Sequence, residues 1–381
     1  MLPDRDGAAR WIPTHEGADD VPGTPLVSRA GTPLARSGGA GTPLGGGCWG
    51  GGAPVTARSR RGWPSTGRTA PAAPGSTGSL RPAAAPARGR RARRARRSTP
   101  VAVPTITLND GRAIPQLGFG VFQIEPENTE QAVLTAFEAG YRHIDTAEMY
   151  GNEKEVGAAV ASSDLDRSDV WITSKLNNGF HRPDDAERAM DQTLADLGTD
   201  HVDLFLIHWP LPTQYDGDYV STWKALEKFK ADGRARSIGV SNFQVDHLER
   251  LARECDVVPA VNQIEVHPYF TNEAVRAYGS EHGIATEAWS PIAQGGVLKD
   301  PVISEIAERV GKSTAQVTLA WHIARGDIIF PKSVTPERVR ANFDIFDVGL
   351  TEEDVRRITA LDKGEDGRTG PNPDTFDMIP S

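Results

Sequence analysis

Cysteine is nearly missing from this chain of 381 residues: Cys48 lies in a glycine-rich tract and Cys255 far downstream. Two thiols so placed offer neither a disulfide framework nor a thiolate metal site. No stretch approaches the ~18 apolar residues that span a bilayer. Paired arginines ending at Arg97 resemble the start of an export signal, but Ser98-Thr99-Pro100-Val101-Ala102-Val103-Pro104 follows. That is shorter than the roughly 7–15-residue apolar core such a signal needs. Proline and glycine also recur too often there for an amphipathic transit helix. These absences make a soluble, cytoplasmic protein without a membrane partner the expectation.

The first hundred residues lack lysine, phenylalanine and tyrosine, yet hold 18 of the 39 glycines and 13 of the 28 prolines. Of the 42 Lys and Arg and the 51 Asp and Glu, 16 and 5 fall here, leaving 26 and 46 for the rest. The extension therefore carries +11 and the remainder −20. Such a composition cannot bury enough apolar surface to offset the entropy of ordering its backbone. Residues 1–100 are expected to be a disordered Gly/Pro/Ala/Arg-rich extension, and 101–381 a folded domain. Gly-Thr-Pro-Leu recurs from Gly23, Gly31 and Gly41, and an arginine run closes the region over Arg88–Arg97. That run reads as a polyanion-binding tail, as an extension without a selected role, or as upstream sequence if translation begins near Val101 or Val103.

Past residue 101 the pattern changes. Thr105–Ile114 alternates apolar and polar residues around Asn109-Asp110-Gly111, a β-hairpin signature. Eight short apolar, β-branched runs follow: 117–119, 143–145, 170–174, 202–207, 237–240, 261–265, 284–288 and 328–330. Helical periodicity fills most of the intervals, over 131–139, 186–197, 219–231, 245–254, 273–282 and 302–310. Alternating buried strands and helices are the pattern of an α/β fold, and eight units close into a (β/α)8 TIM barrel. An open doubly wound sheet would bring an early Gly-x-Gly-x-x-Gly turn, and none is present.

Chemistry in such barrels sits at the C-terminal ends of the strands. Seven of the eight runs lead into a group able to hold or act on a ligand: Asp145, Lys175, His208, Ser241-Asn242, His267, Trp289 and Lys332. Tyr150 follows Asp145 by five residues. A phenol with pKa ~10 exchanges protons poorly at neutrality, and a neighbouring cation lowers that value. Lys175 is the candidate cation, Asp145 its counter-ion, and His208 a relay or a donor that orients a carbonyl oxygen. Together they suit protonation of an oxyanion forming from a small-molecule carbonyl. Phe122 and Trp209 lie just beyond strand ends and read as pocket lining or as a hydrophobic rim. His143 reads as a satisfied interior histidine, His267 as a brace of the rim, and Trp171, Trp223 and Trp321 as core. No His and carboxylate spacing supports a metal site.

These segments resemble the signatures of the aldo-keto reductase family. The resemblance rests on Phe119-Gly120, His143–Asn152, Ser174-Lys175, Ile207-His208-Trp209-Pro210, Ile238–Phe243, Asn262–Tyr269, Trp289-Ser290-Pro291 and Pro331-Lys332-Ser333. It covers about residues 103–380 and is nearest the bacterial branch that includes 2,5-diketo-D-gluconate reductases. It implies NADPH-dependent reduction of aldehydes or ketones, with Asp145, Tyr150, Lys175 and His208 as the catalytic tetrad and Tyr150 as proton donor. It also implies that Ser241, Asn242 and Gln263 hold the nicotinamide carboxamide and that Trp289, followed by Ser290, stacks on the ring. Lys332, Ser333 and Arg338 would grip the adenosine 2′-phosphate, with Asn342 near the adenine and Val334 and Thr335 also among the cofactor-binding residues.

The residues themselves point the same way at that last site. Pro336-Glu337-Arg338 opens a helix whose free N–H groups and dipole favour an anion. Two other readings stay open: a Schiff-base aldolase working through Lys175, and a non-catalytic NADPH-sensing or nucleic-acid-binding protein using the arginine run. The barrel itself is expected to be a monomer that binds no nucleic acid.

Overall fold

Gly111 adopts a left-handed φ of 84° and so closes the first turn of the chain's folded part. In the computed structural model, which describes residues 103–380, β1 (Thr105–Thr107) pairs antiparallel with β2 (Ala113–Pro115) around it. The expected disorder of residues 1–100 and the role of their arginine run lie outside the described residues.

Eight parallel strands follow, each hydrogen-bonded to the next in chain order. They are β3 (Phe119–Gly120), β4 (His143–Asp145), β5 (Trp171–Leu176), β6 (Val202–Ile207), β7 (Ala235–Ser241), β8 (Val261–Glu265), β9 (Ala285–Trp289) and β10 (Ile328–Ile329). The ring joins where Gly118 N donates to Ile329 O (2.8 Å) and Ile329 N donates to Gln116 O (3.0 Å). Around it run α1 (Pro126–Ala139), α2 (Glu153–Ser162), α3 (Pro183–Leu197), α4 (Tyr219–Asp232), α5 (Val245–Glu254), α6 (Glu273–Glu281), α7 (Pro301–Val310), α8 (Thr314–Arg325), α9 (Pro336–Phe343) and α10 (Glu352–Thr359). The architecture is the (β/α)8 barrel with an N-terminal hairpin that the alternating pattern predicts.

Side-chain alternation divides the apolar residues in two. Outward residues such as Ile172, Phe205, Ile207, Ile238, Val240 and Ile264 pack with the helices into one large core. Inward residues Trp171, Leu204, Leu206, Val261, Ile328 and Phe330 form a second core with Leu108 and Ile114 of the hairpin. The hairpin thus floors the barrel at the N-terminal ends of the strands. Asp110 pins it there, accepting from Ser237 Oγ at 2.8 Å and pairing with Lys230 at 3.0 Å. His143 bridges this floor to the layer above: its ring meets Pro115 O at 3.2 Å and Thr173 Oγ1 at 3.0 Å. Burial drives it down to about 3, so it is a neutral, satisfied interior histidine, as read from the sequence. Trp223 and Trp321 are likewise buried in the core.

One helix is assigned differently by the structure. The periodic segment 302–310 is α7, an addition packed on α8 and α10, and α8 is the helix that leads into β10. Residues 316–322 of α8 are all buried, so its sequence shows no amphipathic stripe to read.

Gly239 on β7 faces inward, where a Cβ would lie 2.7 Å from the Val261 carbonyl oxygen and 2.8 Å from Leu206 Cδ2. Backbone of the adjacent strand cannot step aside, so Gly239→Ala is expected to cost about 1–3 kcal/mol. Chemical denaturation of the two proteins measures this; equal midpoints would place the strain elsewhere.

Candidate active site

β4 and β5 run side by side with Asp145 opposite Thr173, which sets Lys175 beside Asp145 at the C-terminal end of the barrel. Lys175 Nζ donates to Asp145 Oδ1 (2.9 Å) and Oδ2 (3.0 Å), to Thr146 O (2.8 Å) and to Tyr150 Oη (3.3 Å). Its side chain has no exposed surface. Burial alone would lower the amine, but Asp145 and then Tyr150 hold Lys175 above its ordinary value.

Tyr150 arrives on a short helical turn, Glu148–Tyr150, ended by Gly151. Asn152 anchors that turn. Its Oδ1 accepts from Thr146 Oγ1 (3.0 Å), and its Nδ2 donates to Val121 O and Ile124 O (both 3.1 Å). The loop carrying Phe122 is thereby tied to the turn carrying Tyr150, and their rings lie 4.9 Å apart. Burial raises the Tyr150 phenol above its usual value, against the downward pull of Lys175. This departs from the lowering expected from the lysine alone. Desolvation disfavours tyrosinate more than one cation, itself shared with Asp145, can offset.

His208 stands edge-on to Tyr150, ring centroids 5.7 Å apart. Burial, then the charge on Lys175, drives it well below its ordinary value, so its imidazole is neutral at pH 7. Its buried Nδ1 has no partner among the described residues.

A ledge of polar side chains adjoins these four. Asn242, in the left-handed region at φ 64°, donates from Nδ2 to His208 O (3.0 Å) and Ser241 Oγ (3.0 Å). Its Oδ1 accepts from Trp289 Nε1 at 2.8 Å, and Ser241 Oγ donates to Gln263 O at 2.8 Å. Gln263 Nε2 donates to Asp145 Oδ2 and to Glu287 Oε2, each at 2.8 Å. Ser290 follows Trp289 at a φ of 50°. Lys332, Ser333, Val334 and Thr335 form a separate group on the connection from β10 to α9, with Arg338 and Asn342 on α9 itself. Thr335 N donates to Ser333 Oγ (3.1 Å). Lys332 and Arg338 are exposed and make no ion pair with another described residue.

The C-terminal segment crosses this face. Buried Glu265 accepts from Thr369 N (2.6 Å), Thr369 Oγ1 (2.5 Å) and Gly370 N (3.0 Å), with His267 Nε2 at 3.0 Å. His267 is therefore a brace, as its place in the sequence suggests. Gly370 presses on Trp289 so closely that a Cβ would lie 2.4 Å from Cη2. Further on, Phe376 meets Trp209 with ring centroids 4.2 Å apart, and Asn178 Nδ2 donates to Met378 O at 2.9 Å. Sequence reasoning missed Asn152, Glu265, Glu287 and Phe376. For the two glutamates the available signal was that each is the one acid of a fully or mostly uncharged strand run; for Phe376 it was the single aromatic of the tail.

Among the described residues, no helix is long and apolar enough to cross a membrane. The family model described as "Aldo/keto reductase family" matches residues 116–363. An aldo-keto reductase of Mycolicibacterium smegmatis is 50% identical over 275 residues, covering 72% of this chain and 98% of the relative. A methylglyoxal reductase DkgA of Yersinia pestis is 46% identical over 276 residues, covering 72% and 97%. Among solved structures, a mutant of Gox0644 in complex with NADPH is 42% identical with a TM-score of 0.69, covering 72% and 99%. The chain belongs to the aldo/keto reductase family of oxidoreductases.

Proposed function

We propose that this protein reduces aldehyde or ketone carbonyls with NADPH, and that Tyr150 delivers the proton. The observation that carries the reading is Lys175 Nζ, fully buried, bonded at once to both Asp145 oxygens and to Tyr150 Oη. A carbonyl oxygen that gains charge needs a donor whose conjugate base is stabilised, and Lys175 supplies that stabilisation. Neutral His208, beside the phenol, orients the oxygen by donating a hydrogen bond. Asp145 keeps Lys175 charged and aimed.

The residues present fit NADPH. The Ser241–Asn242–Gln263 ledge joins carboxamide-type donors and acceptors to the edge of Trp289. Lys332 and Arg338, uncommitted to any described carboxylate, flank the start of α9, where free N–H groups favour a phosphate. NADPH, when bound, supplies the hydride. The relative of known structure that holds NADPH supports this assignment. Phe122 and Trp209 would line the carbonyl pocket.

A Schiff-base aldolase fits less well. Lys175 would have to be a neutral nucleophile, whereas Asp145 and Tyr150 hold its pKa up and occupy its donors. The arginine run plays no part in this reading. Relatives align over almost their entire length with about 72% of this chain, so we assign the enzyme to residues 101–381.

Tyr150→Phe removes only the hydroxyl. General acid catalysis is worth ~10²–10⁴-fold, so kcat should fall by at least that range while NADPH affinity holds. Retention of a tenth of the wild-type rate would sink the assignment. Arg338→Ala should weaken NADPH roughly tenfold to hundredfold and leave NADH nearly unchanged, because a charge-assisted hydrogen bond is worth ~1.5–3 kcal/mol. Fluorescence titration of both cofactors distinguishes this from equal weakening, which would mean that Arg338 only shapes the site. A chain beginning at Val101 should melt and turn over as the full chain does. Loss of activity on that truncation would give the extension a role in catalysis or folding.

A further inference from the structure

The second carboxyl on Gln263 belongs neither to the proton-donating group nor to the cofactor ledge. We propose that Glu287 is a positioning residue that keeps its proton at neutral pH, holds the Gln263 amide against the Asp145–Lys175 pair, and slows carbonyl reduction when it ionises. The inference rests on the reductase reading above.

Its grounds are geometric. Glu287 lies on β9, facing the barrel interior, with no exposed surface. Its Oε2 accepts one bond, from Gln263 Nε2 at 2.8 Å, and its Oε1 has no partner among the described residues. The same Gln263 nitrogen lies 2.8 Å from Asp145 Oδ2. The two carboxyls are thus no farther apart than two hydrogen bonds laid end to end. Charges that close in a buried site cannot both form cheaply. The cation decides which does: Lys175 Nζ binds both oxygens of Asp145, and no basic group among the described residues bonds Glu287. Around Glu287, β4 contributes Asp145 and β5 Lys175. β8 contributes uncharged Gln263, and the register partner on β10 is Ile328. An ionised, half-satisfied carboxylate in that setting costs far more than a neutral acid does. Burial first, then Asp145, raises Glu287 to about 8, in keeping with this arrangement.

Two consequences follow. Tyr150 must develop negative charge as its proton leaves, and an ionised Glu287 beneath the pair disfavours that charge. Reduction should therefore slow as pH rises through the titration of Glu287. Separately, the unfolded chain ionises this glutamate near the usual carboxylate range while the folded chain keeps its proton. The unfolded state then binds fewer protons, so this group's contribution to stability falls steadily until pH reaches its folded value of about 8.

The test uses the full chain with Glu287→Gln, which keeps shape and acceptor, and Glu287→Leu, which keeps neither. Neither variant titrates. Melting temperatures between pH 5 and pH 8 need no substrate; the gap of either variant relative to wild type should shift in the variant's favour as pH rises. The ratio of kcat at pH 7 to kcat at pH 9 should be roughly tenfold larger in wild type than in Glu287→Gln. Glu287→Leu, which frees the Gln263 amide, should lose kcat at both pH values, and Glu287→Gln should restore it at pH 7. A melting gap that is constant with pH, together with superimposable pH profiles, would overturn the proposal. A pH-dependent melting gap in a protein with no reductase activity would leave the proton on Glu287 and overturn its link to catalysis, so the two readings fail separately.

Discussion

Lys175 carries its charge with no solvent contact, and the rest of the site is arranged around that fact. Removing such a cation from water costs several kcal/mol, recovered only when the geometry is close and every donor is used. Here Asp145 takes the ammonium with both oxygens, Thr146 O takes another bond, and the last direction is left for Tyr150. Gln263 completes Asp145 from the far side of the barrel. Removing one partner would strand the other charge in the interior, so the pair is a constraint on folding as well as the centre of the proposed proton transfer.

The barrel is what makes that constraint tolerable. The hairpin and the inward apolar residues fill the N-terminal half of the interior, and a layer of polar side chains sits above them. His143 and Thr173 mark the change, satisfied by each other and by Pro115 O. Above them the last residues of the strands include Asp145, Lys175, Ser241, Gln263 and Glu265, which bond to one another or to the C-terminal tail, and Trp289, which bonds Asn242. Apart from α9, whose start is the proposed phosphate site, the helices on the outside need only supply apolar contact. The proposed proton transfer therefore rests on strand ends and short turns whose positions the wall of the barrel fixes.

Much of this was legible before the structure. All eight wall strands lie within a residue or two of the apolar runs, because a strand buried on both faces has no other composition available. The grouping of Asp145, Lys175 and His208 was legible because each is a polar residue at the end of an apolar strand, and Tyr150 because it follows Asp145 by five residues on the turn Glu148–Tyr150. The helix before β10 was not legible, since α8 is covered nearly all round and shows no stripe. Glu287, Glu265 and Phe376 were also missed. Their roles depend on Gln263, Thr369 and Trp209, partners that only the closed barrel brings near them. The direction of the Tyr150 shift was misjudged for a similar reason: a charged neighbour can be read from a sequence, but the depth of burial that opposes it cannot.

The central claim is that Asp145 acts through Lys175, and that the two serve Tyr150 as one unit. The most direct measurement is kcat for Asp145→Asn, Lys175→Met and the double variant, with a circular dichroism check of folding for each. Residues acting as a unit are strongly non-additive. The double variant is predicted to turn over no more slowly than Lys175→Met alone. Losses that multiply, each variant contributing its full factor, would contradict the account.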